Sequence, residues 1–575
     1  MAVNRRQWRR MVAARVVELL ARAYPWPVST SERLRRSLAF LGWAVGPETV
    51  VRAGYGAALV AVALAVPLAA LSGLPPLVVG SVALASGMGA AHAVHVAPVT
   101  VARLRRTSAL GEAPDLVGRA VLRMRIAPTP EGAAAFAAET GDGPLAESLA
   151  EHVRRAAGTP TTGFGSFADE WADWFPSLRR AVLLVEAAGD APPTERGRTL
   201  DRALSAVLDG TRDHVAEFAG DVRGPATGLY GFGVLLPLAL ASVLPAAGVA
   251  GLPVSLPVVV AAYDVLLPLG LVAASVWLLS RRPVAFRPPS IPHDHPDLPD
   301  GRWPSLAAGG AVGVAAWFVA GRFVAEWAGP LAGVGSGTGV VLVAWYRHEK
   351  AVRDRTRRVE RHLPDALYVV GRRVDEGTAV EAAVARAAAE VAGATGDVLA
   401  DAARRQRQLR VGVEEALVGE YGPLADLPSA RGRSTASMLG LAASEGRPAG
   451  TAAVAMADHL EELRDVEADA RAALSRVTGT LASTATTFAP MVGGVTVALA
   501  EGLSAVGDGP PPLSTAGLGL AVGSYVLLLA VILSTLSVGL SRGLDRALVG
   551  YRCGLALVSA TVVYLAAFVV AGVVV

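Results

Sequence analysis

The sequence predicts an all-α polytopic membrane protein, with about nine transmembrane helices and two repeated cytoplasmic helical-bundle domains. Three observations predict it. Hydrophobic residues make up 52% of the 575, mean hydropathy is +0.43, and the 18% that are charged gather into blocks instead of spreading. Long apolar runs broken by charged blocks are the pattern of membrane spans with soluble inserts. The chain also carries one stretch twice, and its arginines stand almost entirely on one side of the apolar runs.

The repeat sets the architecture. One copy reads PDLVGRAVLRMRIAPTPEGAAAFAAET from Pro114, the other PDALYVVGRRVDEGTAVEAAVARAAAEV from Pro364. With no gap, Pro114 matches Pro364, Asp115 matches Asp365, Arg123 matches Arg373, Glu131 matches Glu381 and Ala133 matches Ala383, all 250 apart. Further on the spacing drifts to 253, matching Arg223 to Arg476 and Pro237 to Pro490. Polar and proline positions agree as well as alanines do.

Residues 1–52 read as a cytoplasmic amphipathic N-terminal region. Five arginines precede the first acid, Glu18, and Val12, Val16, Leu19 and Leu20 share one face of a helix over 8–22. Such a helix lies on an anionic membrane surface or packs on the first soluble domain. No apolar run follows until after Arg52, so the start does not read as a cleavable signal peptide.

A transmembrane hairpin follows at 53–101, turning at Leu71-Ser72-Gly73-Leu74-Pro75-Pro76. His92 and His95 in its second run read as packing residues ahead of a ligand pair. A charged helical domain covers 102–227 and a second hairpin 228–280. The proline-rich linker 281–304 cannot form a helix. Its His293-Asp294-His295 lacks the further ligands of a metal site, so it reads as solvated linker. The plan then repeats, with a hairpin at 305–346, a helical domain at 347–478 and a hairpin at 479–540. A basic loop and a final span fill 541–575.

Each copy opens with proline at a helix start and aspartate behind it, which suits the missing N–H and the helix dipole. The next helices are expected to start at Thr129-Pro130-Glu131 and, as a capping box, at Thr378 with Glu381. Their alanine-rich faces, EGAAAFAAE and EAAVARAAAE, predict closely packed bundles.

With the N-terminus inside, the outside segments lie near residues 73, 251, 326 and 508 and at the C-terminus. Of 53 Lys+Arg, Arg322 alone falls there. This positive-inside bias puts both charged domains in the cytoplasm and the C-terminus outside, in the plasma membrane. An even number of spans separates the copies, so the repeat is parallel.

Enzyme chemistry is missing from the sequence. Cys553 is the one cysteine, so no intramolecular disulfide or cysteine metal site can form. Lys350 is the one lysine and no P-loop surrounds it. Catalytic residues, metal and cofactor are all expected to be none. The glycines 333, 335, 337 and 339 lie in an apolar run and read as a packing feature. Asp264 is the clear ionisable residue inside a span, with a packing role ahead of an ion pathway. From Arg347, RHEKAVRDRTRRVERH holds seven Lys+Arg against three acids, a membrane-exit helix suited to lipid headgroups. Without interleaved aromatics, nucleic-acid binding is not expected.

Later in each copy comes a helix, a glycine-centred break and another helix: FPSLRRAVLLVEAAGDAPPTERGRTLDRALSAVLD from Phe175, and RSTASMLGLAASEGRPAGTAAVAMADHLEEL from Arg433. This hairpin with an acid-and-glycine turn, doubled, and each time leading into a membrane hairpin, resembles the type II secretion system F family. These are the inner-membrane platform proteins of type IV pili, type II secretion systems and the archaellum. The resemblance covers roughly 102–280 and 347–540. Extra hairpins before each copy and a ninth span make it more similar to the archaeal branch than to the three-span bacterial form.

The resemblance implies a non-enzymatic platform. Its expected partners are a cytoplasmic secretion or pilus ATPase, pilin-like subunits, membrane lipid and a second copy of itself as a homodimer. Hairpin turns need water or a partner for their backbone groups. The candidate docking residues are therefore Glu186, Asp190, Glu195 and Arg196 in copy one, and Glu445, Arg447, Glu461 and Glu462 in copy two. The alternative is a secondary transporter with a parallel internal repeat, which large charged domains and scarce intramembrane charge disfavour.

Overall fold

The computed structural model describes residues 5–43, 45–71, 76–141, 143–249, 255–282, 291–292, 295–299, 301, 303–445, 447–506 and 514–574. Among these there is no strand. Four helices precede the first copy: α1 (Arg5–Arg22), α2 (Glu32–Leu41), α3 (Pro47–Leu71) and α4 (Pro76–Leu110). Copy one holds α5 (Ala113–Ile126), α6 (Pro130–Thr140), α7 (Pro144–Ala156), α8 (Phe164–Trp171), α9 (Pro176–Asp190) and α10 (Pro193–Tyr230). α10 runs through a π-turn, Gly231–Leu235, into α11 (Leu236–Val249). The chain returns through α12 (Leu256–Val260), a second π-turn at Ala261–Leu266, and α13 (Leu267–Ser280).

The hairpin α14 (Trp303–Phe323) and α15 (Ala328–Glu360) leads to copy two: α16 (Leu363–Asp375), α17 (Val380–Glu390), α18 (Ala394–Leu409), α19 (Val413–Val418), α20 (Ala430–Glu445) and α21 (Arg447–Ser483). α21 continues through a third π-turn, Thr484–Phe488, into α22 (Ala489–Val506); α23 (Thr515–Arg542) and α24 (Arg546–Val574) end the chain. Among the described residues nine helices are long and apolar enough to cross a membrane. The chain is an all-α multi-pass membrane protein.

The two copies match helix for helix. Six helices follow in the same order, and the last of each is long, 38 residues in α10 and 37 in α21. The alanine-rich faces correspond: Ala133 and Ala137 in α6, and Ala383 and Ala387 in α17, are all fully buried. Glu131 and Glu381 occupy equivalent exposed positions in the first turns of those helices.

The helix starts differ in detail from expectation. α5 and α16 begin one residue before their prolines, at Ala113 and Leu363. Thr129 is the N-cap of α6 but its side chain makes no capping bond. The expected capping box at Thr378 does not form: α17 starts two residues later, with Ala379 at the cap. A valine can open a helix whose apolar face is buried, because packing outweighs the loss of one cap; Val380 is 4% exposed.

The copies share one interior. The core of copy one, built on Met124, Leu149, Phe167 and Leu178, includes Leu463, Val466 and Ala470 of α21. The core of copy two includes Leu122 of α5. α10 and α21 run side by side toward the membrane. Buried residues Leu208, Val215, Val222 and Leu229 repeat along α10, and Leu463, Val466, Ala470 and Leu474 along α21. Spacings of three, four and seven make each a lengthwise seam.

In the membrane part, the glycine run of α15 serves two neighbours. A Cβ on Gly333 would meet Gly313 O of α14 at 3.1 Å, and one on Gly337 would meet Gly309 O at 3.1 Å. Turned to the other side, a Cβ on Gly339 would meet Gly554 O of α24 at 2.8 Å. Small residues four apart let helix backbones approach where no hydrophobic drive brings them together. α1 packs on α3, not on copy one: a Cβ on Gly56 would overlap Leu20 O, while Val16 and Leu19 of its apolar face stay exposed. The linker is not wholly solvated either. His295 is buried, its Nε2 donating to Asp426 O at 2.7 Å while its Nδ1 accepts from Asp297 N at 3.1 Å. The rest of the motif, His293 and Asp294, lies outside the described residues.

Candidate functional site

The hairpin turns expected to receive a partner sit at the far end of the bundle from the membrane. α10 leaves the turn after Asp190 and reaches its π-turn 38 residues later, roughly 57 Å at 1.5 Å per residue. α21 covers nearly the same distance from Arg447. No loop interrupts either path.

The structure divides the eight candidate docking residues. Asp190, Glu195, Glu461 and Glu462 are exposed. Glu186 is half-buried and its Oε1 accepts from the Thr162 hydroxyl at 2.6 Å. Arg196 caps its own hairpin: Nε donates to Ala188 O at 3.2 Å and Nη2 to Ala191 O at 3.1 Å, which satisfies carbonyls at the end of α9. Glu445 ends α20 and Arg447 opens α21, but their side chains lie outside the described residues, as does Gly446 between them. Glu461 and Glu462 are 14 and 15 residues along α21, roughly 22 Å from its start, so they are not part of the turn.

Where the two copies meet there is a buried polar junction. His459 of α21 is 3% exposed, and its Nε2 lies 3.1 Å from the carbonyl of Pro114 at the start of α5. A carbonyl can only accept, so Nε2 carries the proton. The other ring nitrogen, Nδ1, is buried with no hydrogen-bond partner. Space for the ring comes from Gly118, where a Cβ would come within 2.7 Å of Nε2. Next to it, Asp115 accepts from Arg119, Nη2 to Oδ2 at 2.9 Å, and Arg119 also donates to Thr140 O. Behind these, Glu467 of α21 pairs with Arg431 and, at 2.8 Å, with Arg471.

Burial sets the charge state of the junction. It holds the His459 imidazole below its ordinary value, against the pull of Asp115 and the Pro114 carbonyl. Burial would raise the Asp115 carboxyl, but Arg119, with Arg431 behind it, outweighs that and keeps it below the usual carboxylate range. The junction therefore holds a neutral histidine beside an ionised aspartate, and locks copy one to copy two.

At the membrane end of the long helices, the three π-turns share a cause. Each is followed two residues beyond its end by a proline: Pro237, Pro268 and Pro490. Proline has no N–H to give four residues back, and its ring crowds that carbonyl, so the helix widens by one residue. The carbonyl left by Pro237 is that of Gly233, and Tyr525 of α23 donates its hydroxyl to it at 3.0 Å. The carbonyl left by Pro490 is that of Thr486, and Ser559 of α24 donates to it at 3.1 Å. The two copies solve the same backbone problem with different neighbours. Pro237 and Pro490 were visible in the sequence as a repeat match; nothing in it marks Tyr525 or Ser559.

Asp264 sits in the second π-turn, where its Oδ1 accepts from Ser524 of α23 at 2.8 Å, a packing contact. His95 likewise packs, with Nε2 3.0 Å from Val51 O and its ring on Tyr55. His92 is exposed. Comparison of the chain with protein-family models, with curated proteins and with solved structures finds no match in any of the three.

Proposed function

We propose that this chain is a non-enzymatic platform of the plasma membrane for assembling a type IV pilus-like filament. It couples a cytoplasmic secretion ATPase to the insertion or extraction of pilin-like subunits. The observation that supports this reading best is the pair of long helices. α10 and α21 lie side by side, each running from a membrane-distal hairpin into a membrane span without a loop. A displacement imposed at the hairpins travels along rigid elements to the bilayer. The N-terminus and both charged domains face the cytoplasm, the C-terminus faces outward, and the platform works as a homodimer.

The docking residues are the exposed acids: Asp190 and Glu195 at the first hairpin, and Glu461 and Glu462 farther along α21. Charges at an interface rim set association rate and specificity and are sensitive to salt. The test is co-purification of the full-length, detergent-solubilised chain with a secretion ATPase of the same organism. Charge reversal of the four acids to lysine should weaken capture about tenfold at low salt, with the difference shrinking as salt rises. Equal capture by both forms at every salt concentration removes this surface. No capture by either form removes the platform reading.

A further inference from the structure

An arginine-lined pocket stands where the membrane spans leave for the charged domains. It is about 470 Å³ and is lined by Asp354, Arg357, Arg358, Arg361, Arg471 and Arg542. Three elements distant in sequence build it: the end of α15, the middle of α21 and the last residue of α23. Arg542 closes a span and is half-buried, and Arg357, Arg471 and Arg552 all lie within its electrostatic reach.

Five arginines thus line the pocket with one aspartate; of the carboxylates nearby, Glu360 accepts from the Ser429 hydroxyl at 2.7 Å and lies within electrostatic reach of Arg357, and two others are occupied by ion pairs. Asp354 takes Lys350 at 2.5 Å, and Glu467 takes Arg471 at 2.8 Å together with Arg431. Arg357, Arg358, Arg361 and Arg542 form no ion pair among the described residues. Elsewhere in the charged domains arginines are commonly matched with acids, as in Arg125 with Asp201, Arg373 with Glu390 and Arg404 with Asp401. Orienting the spans by positive charge asks for arginines near the membrane; it does not ask that they converge on one cavity.

We propose that this pocket binds a multiply charged phosphate anion. Guanidinium forks match phosphate oxygens two at a time, and several together accommodate a phosphate that carries more than one charge. The position, level with the polar ends of α15 and α23, puts an anionic phospholipid headgroup within reach; a soluble phosphate offers the same oxygens.

The test uses the full-length chain in phosphatidylcholine nanodiscs, with thermal unfolding followed by tryptophan fluorescence. Inorganic pyrophosphate is compared with sodium chloride at equal ionic strength; in a second arm, phosphatidic acid, whose phosphomonoester can carry two charges, is mixed into the discs. Either anion should raise the midpoint by about 2–4 °C. An Arg357→Gln, Arg361→Gln, Arg542→Gln variant should lose that rise, and without anion should melt no lower than the parent, because like charges are removed. An Arg154→Gln, Arg155→Gln, Arg179→Gln control should keep it. A rise with phosphatidic acid alone assigns the ligand to lipid, and a rise with pyrophosphate in phosphatidylcholine assigns it to soluble phosphate. No rise in either arm, or an equal rise in the triple variant, overturns the proposal. If the triple variant does not fold, Arg361→Gln alone carries the same comparison.

Discussion

The Tyr525 hydroxyl donates to the Gly233 carbonyl at 3.0 Å, across 292 positions of the chain, and fills the bond that Pro237 cannot make. Ser559 does the same for Thr486, which faces Pro490. The second half of the molecule therefore supplies the donors for the π-turns of both repeats. Both long helices are tied at their widened turns to the last two spans, and the first half does not complete its membrane entry by itself.

Tyr525→Phe should destabilise the protein by about 1 kcal/mol, since the hydroxyl is removed and the carbonyl is left without a donor in an apolar setting. In a Pro237→Ala background the amide at 237 returns and the cost should shrink. The measurement is a double-mutant cycle on thermal or denaturant unfolding of the reconstituted protein. The same cost in both backgrounds would mean the hydroxyl does not serve that carbonyl.

Gly118→Ala should loosen the junction between the copies, at a cost of about 1–3 kcal/mol, because the added Cβ meets the buried His459 ring at 2.7 Å. Pairing it with His459→Ala should recover most of the loss. A double variant no more stable than Gly118→Ala alone would place the strain elsewhere.

Stability should also respond to mild acid. His459 is held below its ordinary value in the fold, while the unfolded chain titrates near about 6.5. Its contribution is therefore complete above about pH 6.5 and is lost as pH falls through the folded value. Asp115, also held low, contributes above about pH 3.9 and is lost only at stronger acidity. Unfolding midpoints between pH 8 and pH 5 should fall for the parent and run flatter for His459→Gln. Parallel profiles would remove His459 as the group responsible.

The orientation can be read by labelling single cysteines in a Cys553→Ser background. Cysteines at Thr161 and Gln408 should react with an impermeant maleimide only after cells are opened, and one at Asp508 should react in intact cells. Thr161 and Gln408 are exposed, so the absence of reaction before opening reports sidedness and not burial. Reaction at Thr161 in intact cells would reverse the topology and remove the docking model with it.

The sequence by itself determined the helical class, the nine apolar spans and the doubling of the chain. Each of these is written locally, in the length of an apolar run, in the 3.6-residue period, or in residues that recur 250 and 253 positions apart. It also pointed to Pro237 and Pro490 and to the glycine run of α15. What those residues do depends on partners that no local pattern names. Thr378 looked like a helix cap until Val380 was drawn into the core and moved the start of α17. Arg196 looked free in its turn, yet it folds back on the carbonyls of α9. His459 met Pro114, and five arginines met around one pocket, only when α21 was laid against α5 and against the ends of α15 and α23. Periodicity says which face of a helix is buried; packing geometry decides which atoms lie opposite it.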